Sequence, residues 1–318
     1  MVSFADYYQT RELLQAAAIY FKSINILATL IAIFGFLKNS KKLFVFFLMT
    51  IFFGYALSFF LLIFFHVSIY NSVYLTAPFL PSPLRVFPPF WIETEKLFFW
   101  TFLLLIFFAA GFIKRKNLDN AIKLQAITVV LFLLLNTLID PFSNPLPNLH
   151  DEIKNLEAAA SSGLSQASIG YIMNFYFRVK HFYHSAFMWT HPPLLFLSYA
   201  LFTLALPLNF ALMIGRENNN LETLAYRLIS SGYFFLTLGM LIGYPWAVEA
   251  WYGESWWWSP KINVSIMMWL FYTAYLHGRL YPVSKLGRYS HLLAILSFAA
   301  LVFTYLSSYI LPGIHSYG

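Results

Sequence analysis

The sequence predicts an all-α polytopic membrane protein of about eight transmembrane helices, and three observations predict it. Apolar residues make up 60% of the 318 residues and charged residues 10%, where soluble domains lie near ~45–50% and ~25%. The 36 Phe, 21 Tyr and 9 Trp exceed what one water-soluble core buries. The apolar residues also fall into runs of the ~20 residues that a helix needs to cross hydrocarbon. A soluble enzyme, a disordered scaffold and a nucleic-acid binder are excluded. The excess of Lys+Arg over Asp+Glu, 20 to 13, reads as topology rather than as attraction for phosphate.

The runs lie at roughly 15–37, 43–66, 94–113, 123–140, 187–214, 225–246, 262–282 and 288–311. The first follows an acidic start, Asp6 and Glu12, and is expected to be a retained anchor rather than a cleaved signal. The fourth runs into Asp140-Pro141, and a residue before proline is driven out of the helical region. No Cys is present, which rules out disulfides, thiolate metal sites and a cysteine nucleophile. Redox chemistry would need a cofactor held by other ligands, and the 8 His are the supply.

An even number of spans puts both termini on one side. One set of loops carries Lys38, Lys41, Lys42, Lys114, Arg115, Lys116, Lys123, Arg216, Arg227, Arg279, Lys285 and Arg288 in short connections. The other carries Arg11, Arg85, Lys96, Lys154, Arg178, Lys180 and Lys261 over longer segments. The positive-inside rule then places both termini outside the cytoplasm. The long outward loops, about 67–93, 141–184 and 247–261, hold most of the Pro and Trp, so the working face is expected there. Residues 151–170 read as a short soluble helix and a flexible Ser/Gly connection. No repeat or separate soluble domain is visible. The chain divides into an N-terminal four-span region, 1–184, and a core, 185–318, containing a tryptophan-rich loop at 246–263.

That loop, Trp246-Ala-Val-Glu-Ala-Trp-Tyr-Gly-Glu-Ser-Trp-Trp-Trp-Ser-Pro260, holds five Trp in thirteen residues. An aromatic belt explains an isolated Trp; this density suits a large flat ligand that stacks, such as a porphyrin. Porphyrin iron takes neutral imidazole as an axial ligand. His191, in Thr-His191-Pro192-Pro193-Leu, opens the fifth span, with both prolines expected in the helix's first turn. His315 follows the eighth span. Together they frame a bis-histidine haem b site; taken singly, each also reads as an interfacial side chain with a wet tip. His277 lies ~22 Å down the seventh span at ~1.5 Å per residue, too deep to share that iron. An ionisable residue there is functional by default, and a second haem at His277 needs a partner ligand at similar depth. His291 is the other His on that side, and His66 sits near the outer end of the second span. His181 and His184 read as a solvated amphipathic turn, and His150 has no assignment.

These residues resemble the haem-handling proteins of cytochrome c assembly, of the CcsA (ResC) and CcmF type. Trp246-Ala-Val-Glu249-Ala-Trp251 with Trp256-Trp-Trp258-Ser-Pro260-Lys261 is similar to the family's tryptophan-rich signature. Tyr275-Leu-His277-Gly-Arg279 is similar to the end of the helix that follows it. Gly313-Ile-His315-Ser-Tyr-Gly is similar to the C-terminal histidine motif of the CcsA branch. His191-Pro-Pro-Leu-Leu-Phe-Leu-Ser-Tyr199 is similar to the histidine motif of the CcmF branch, and the Phe90–Trp100 stretch is faintly so. The likeness covers roughly 185–318 well and the first half poorly. It departs at Ser259 and Ile262, where the family loop carries the acidic residues of Trp-Asp-Pro-x-Glu.

The resemblance implies His191 and His315 as outer axial ligands, His277 as an inner one, and Trp251, Trp256 and Trp258 as the haem-contacting shelf. It implies a cytochrome c biogenesis protein of the cytoplasmic membrane that binds haem at the extracytoplasmic face. Haem is presented there to apocytochrome c for thioether attachment, as a holocytochrome c synthase (haem lyase) component. Lipid and a separate assembly subunit are the other expected partners. The absence of Cys fits, because both sulfurs come from the substrate. Lys261, Arg178 or Lys180 would face the propionates. The alternative is a haem-b electron-transfer subunit of a respiratory complex that has lost ligase activity. A haem exporter or cofactor-free subunit ranks last, since the spans offer few polar residues to line a path.

Overall fold

The structure is a computed structural model that describes residues 4–115, 119–163, 165–215, 219–251, 253, 255–280 and 286–311. Every apolar run becomes a helix. Helices α1 (Ala5–Leu37), α2 (Lys41–Ser72), α3 (Glu95–Arg115) and α4 (Asn120–Ile139) are followed by the shorter α5 (Pro147–Ser161) and α6 (Gln166–Arg178). Then come α7 (Ala186–Met213), α8 (Asn219–Ala250), α9 (Pro260–Leu280) and α10 (Leu286–Ile310). Among the described residues, seven helices are long and apolar enough to cross a membrane. The eighth, α9, has 21 residues, enough for ~30 Å of hydrocarbon, but carries Lys261, Asn263, His277 and Arg279. The protein is an all-α, multi-pass membrane protein. Its strands, among the described residues, form one short hairpin, β1 (Tyr74–Leu75) and β2 (Leu84–Arg85), paired antiparallel with Tyr74 opposite Arg85.

The chain forms two compact units. The first comprises Met1–Phe102 and Phe132–Trp189. Its α1 starts ten residues before the apolar run, because the polar first turns find partners on and just before α5. Tyr7 and Tyr8 bond to His150 and Glu157 at 2.8 and 2.7 Å, and the buried Arg11 donates to the Pro145 carbonyl and Asn144. Asn39, in the left-handed region at φ 48°, reverses the chain, and Ser40 caps α2 by accepting from the Leu43 amide at 3.4 Å. A Cβ on Gly54 would lie 2.6 Å from Ile24 Cγ2, so only glycine lets α1 and α2 approach there. The core between these elements is aromatic. Tyr55 and Phe98 stack with centroids 5.1 Å apart, and Phe142 meets Phe21 at 4.8 Å.

The weak fourth run ends as its Asp-Pro predicts. Helix α4 stops at Ile139 and Asp140 adopts φ 42°. Glu93, itself at φ 50°, reaches the start of α5 and accepts the Asn148 and Leu149 amides at 2.7 and 3.1 Å. Glu95 accepts the Leu146 amide at 3.0 Å. These two carboxylates supply the N-terminal cap that the side chain of Leu146 lacks. The expected Ser/Gly connection is shorter than the sequence suggests. Ser165 caps α6 by accepting from the Ser168 amide, so Gln166–Gly170 is helical.

The second unit comprises Leu103–Leu131 and Thr190–Gly318. Phe202 of α7 stacks on Tyr272 of α9 with centroids 3.7 Å apart. A cluster of Ala121, Leu208, Leu212, Leu221 and Ala225 fills the region between α4, α7 and α8. Helix α7 begins at Ala186, so Pro192 and Pro193 fall in its second turn, not its first. Proline at 192 removes the donor that the Met188 carbonyl would receive. The Trp91 indole N–H takes that carbonyl instead, at 3.1 Å.

Candidate functional site

The second unit contains a cavity of about 190 Å³ built by three helices and the tryptophan-rich loop. Helical spacing explains its walls. From α7 come His191, Leu195 and Tyr199, four residues apart on one face. From α8 come Leu236, Met240, Gly243, Tyr244 and Ala247, and from the first turns of α9 come Lys261, Ile262, Ser265 and Ile266. Trp246, Trp251, Trp256 and Trp257 complete the lining. Gly253 turns the loop at φ +85°, a conformation that favours glycine, and Trp256–Trp258 form one 3₁₀ turn before Pro260 starts α9.

His191 is fixed by α8. Its Nδ1 lies 2.7 Å from the Gly239 carbonyl. A carbonyl only accepts, so Nδ1 carries the proton and the neutral ring keeps its lone pair on Nε2. This is the arrangement by which metal-ligating histidines are oriented. A Cβ on Gly243 would stand 2.5 Å from His191 Cε1, so glycine at 243 makes the space that the imidazole fills. Trp246 lies 5.8 Å from the His191 ring and 5.3 Å from Trp251, centroid to centroid. Trp256 and Trp257 stack at 3.8 Å, with Tyr244 5.8 and 5.3 Å from them.

The structure therefore brings together His191, Trp251, Trp256 and Lys261. It leaves Trp258 outside the lining and 79% exposed. His315 lies outside the described residues. His277 is near the far end of α9, about 24 Å along the axis from Lys261 at ~1.5 Å per residue. It is exposed, and its Nδ1–H is held by the Thr273 carbonyl at 2.9 Å. His291 is buried and bonded to Asn209 Oδ1 at 2.9 Å. His184 bonds to the Arg85 carbonyl at 2.6 Å, and exposed His181 stacks on Phe177. His66 lies inside α2, fully buried, with Nδ1 on the Pro88 carbonyl and its ring 5.0 Å from Phe90. Sequence reasoning missed Gly243, Tyr199 and Met240 in the cavity wall. The periodicity His191, Leu195, Tyr199 carried the signal for Tyr199; nothing local marks Gly243.

Among the described residues no group of three or more His, Asp or Glu could hold a bare ion. A single imidazole in an aromatic chamber offers one axial bond, and an iron held there needs a macrocycle for its remaining donors. Ile262 lines the cavity where the resembling motif has a carboxylate, so Lys261 is the formal charge among the lining residues.

The profile of the family described as cytochrome C assembly protein matches residues 91–315. The chain is 41% identical over 124 residues to the cytochrome c biogenesis protein CcsA of Prochlorococcus marinus strain AS9601, which is 38% of this chain and 37% of that one. It is 42% identical over 101 residues to the protein of the same name from Chlamydomonas reinhardtii, covering 31% and 28%. The chain thus spans about a third of the length of the curated relatives it matches. No solved structure matches. Because the profile runs over well more than half of the sequence and takes in the His191 helix, the tryptophan-rich loop and α9, the chain belongs to the cytochrome c assembly protein family.

Proposed function

We propose that the chain binds haem at the extracytoplasmic face of the membrane and presents it to apocytochrome c. The observation that carries this reading is the tautomer of His191, whose Gly239 bond leaves Nε2 unprotonated at a tryptophan-walled cavity. His315 is assigned as the opposite ligand from its motif. Haem held there supplies the vinyl groups to which the two cysteine thiols of a Cys-x-x-Cys-His segment add as thioethers. His191 binds and orients; Trp251 and Trp256 exclude water; Lys261 receives a propionate. At about 190 Å³ the cavity is smaller than the ~300–1,000 Å³ of sites that enclose their ligands. A flat macrocycle would be only partly enclosed there, which suits handing over rather than storing. His277, whose Nδ1–H is held by the Thr273 carbonyl, is assigned as a ligand to a second haem, whose opposite ligand must lie at similar depth.

The test is the oxidised and reduced absorption spectrum of the protein purified in mild detergent, beside a His191→Ala, His315→Ala variant. A six-coordinate b-type spectrum whose outer component disappears in the variant is expected. Wild-type protein without haem under ample haem supply would refute the reading. Ile262 in the wall supports the second reading, a haem-b electron-transfer subunit without ligase activity. Rapid, reversible reduction by quinol without covalent product would select it.

A further inference from the structure

We propose that the α1–α2 turn holds one anionic phospholipid, with its phosphate at Lys38, Lys41 and Lys42 and an acyl chain in the groove beside them. The segment precedes the family match at residues 91–315, so the proposal stands apart from the haem reading. The groove has a volume of about 490 Å³ and is walled by Leu30, Ile33, Phe34 and Leu37 of α1 with Leu43 and Phe46 of α2. Its lining is almost wholly apolar, and Phe34, Leu37 and Phe46 are exposed. From Leu30 to Lys38 the wall runs about 12 Å along the helix at ~1.5 Å per residue, the reach of part of an acyl chain. Lys38 ties mouth to groove, with its ammonium 5.9 Å from the centroid of the Phe34 ring.

Charge decides which occupant the groove suits. All three lysines are exposed. Lys41 and Lys42 occupy the first turn of α2, which contains no acidic residue. That is the wrong sign for a helix N-terminus, where the backbone dipole already concentrates positive charge. No Asp or Glu occurs from residue 13 to residue 92, so neither helix supplies a counter-charge near this turn. An anion at this position offsets three ammonium groups and the dipole together. A zwitterionic lipid or an apolar helix of another subunit fills the groove and leaves that charge unanswered. Basic clusters at the ends of membrane helices attract anionic headgroups in this way.

The experiment is native mass spectrometry of the full chain, delipidated in detergent and titrated with phosphatidylglycerol, with phosphatidylcholine of the same acyl chains, and with glycerol phosphate. Wild type is expected to bind one phosphatidylglycerol at least about ten-fold more tightly than phosphatidylcholine. The Lys38→Gln, Lys41→Gln, Lys42→Gln variant should bind both lipids alike. Ile33→Trp, which fills the groove and keeps the charge, should weaken both, with circular dichroism confirming that each variant is folded. Equal affinity of wild type for the two lipids, or a preference that survives in the triple variant, overturns the proposal. So does displacement of the lipid by glycerol phosphate at matched concentration, because the groove would then contribute nothing.

Discussion

Gly243 is the residue on which the His191 geometry turns, because its missing Cβ is the space the imidazole occupies. Gly243→Ala is expected to push the ring off the Gly239 carbonyl, at an overpacking cost of ~1–3 kcal/mol of stability, and to lower haem retention. The measurement is haem retained per protein after gel filtration, with the circular dichroism unchanged. Retention equal to wild type would mean that α8 yields and that His191 is not held as described. The sequence could be read as far as His191, Trp251, Trp256 and Lys261, because each belongs to a pattern of near neighbours. Gly243 was invisible, since its role appears only where α8 meets α7. Trp258 was misleading for the opposite reason. In three consecutive tryptophans a 3₁₀ turn sends successive side chains in different directions, so Trp256 is buried and Trp258 is exposed.

Helix α5 shows how an element outside the spans is held by titratable groups. Burial, then the charges of Arg11 and Lys154, pushes His150 down to about 4, and Tyr7 shares its Nδ1. The folded state binds this proton less readily than the unfolded chain. The stabilisation is therefore complete above ~6.5, the ordinary value of histidine, and is lost as pH falls from there toward 4. Burial raises Glu93 and Glu152, which has the opposite sign. Their stabilisation is present below the ordinary carboxylate value and declines as pH rises through the raised one. Comparison with His150→Gln separates the two. Thermal midpoints of wild type should fall more steeply between pH 6.5 and 4 than those of the variant, and parallel curves would remove His150 from the account. None of this was legible beforehand, because Glu93 and α5 are more than fifty residues apart and only the fold joins them.

Across the whole molecule, the span pattern was the most legible feature, because membrane helices announce themselves by composition alone. Every expected run is a helix, and the differences lie at the ends, where polar turns such as Asp6–Arg11 extend α1 once α5 gives them partners. Orientation rests on the asymmetry of Lys and Arg, and the lack of Cys makes it directly measurable. Single Ser161→Cys and Asn219→Cys variants place one thiol each at exposed positions in the α5–α6 region and at the start of α8. In intact cells an impermeant maleimide should label Cys at 161 at once and Cys at 219 only after permeabilisation. The reverse pattern would invert the topology and move the tryptophan-rich loop to the cytoplasmic side.

The stacked pair Trp256 and Trp257, 3.8 Å between centroids and 22° from parallel, is also an optical device. Transition dipoles that close are coupled, so the near-ultraviolet circular dichroism of the protein should carry a two-signed band from these two indoles. A porphyrin placed beside them accepts their excitation energy. If the proposed haem fills the cavity, tryptophan emission and the two-signed band should change together, so one optical titration would report occupancy of the site.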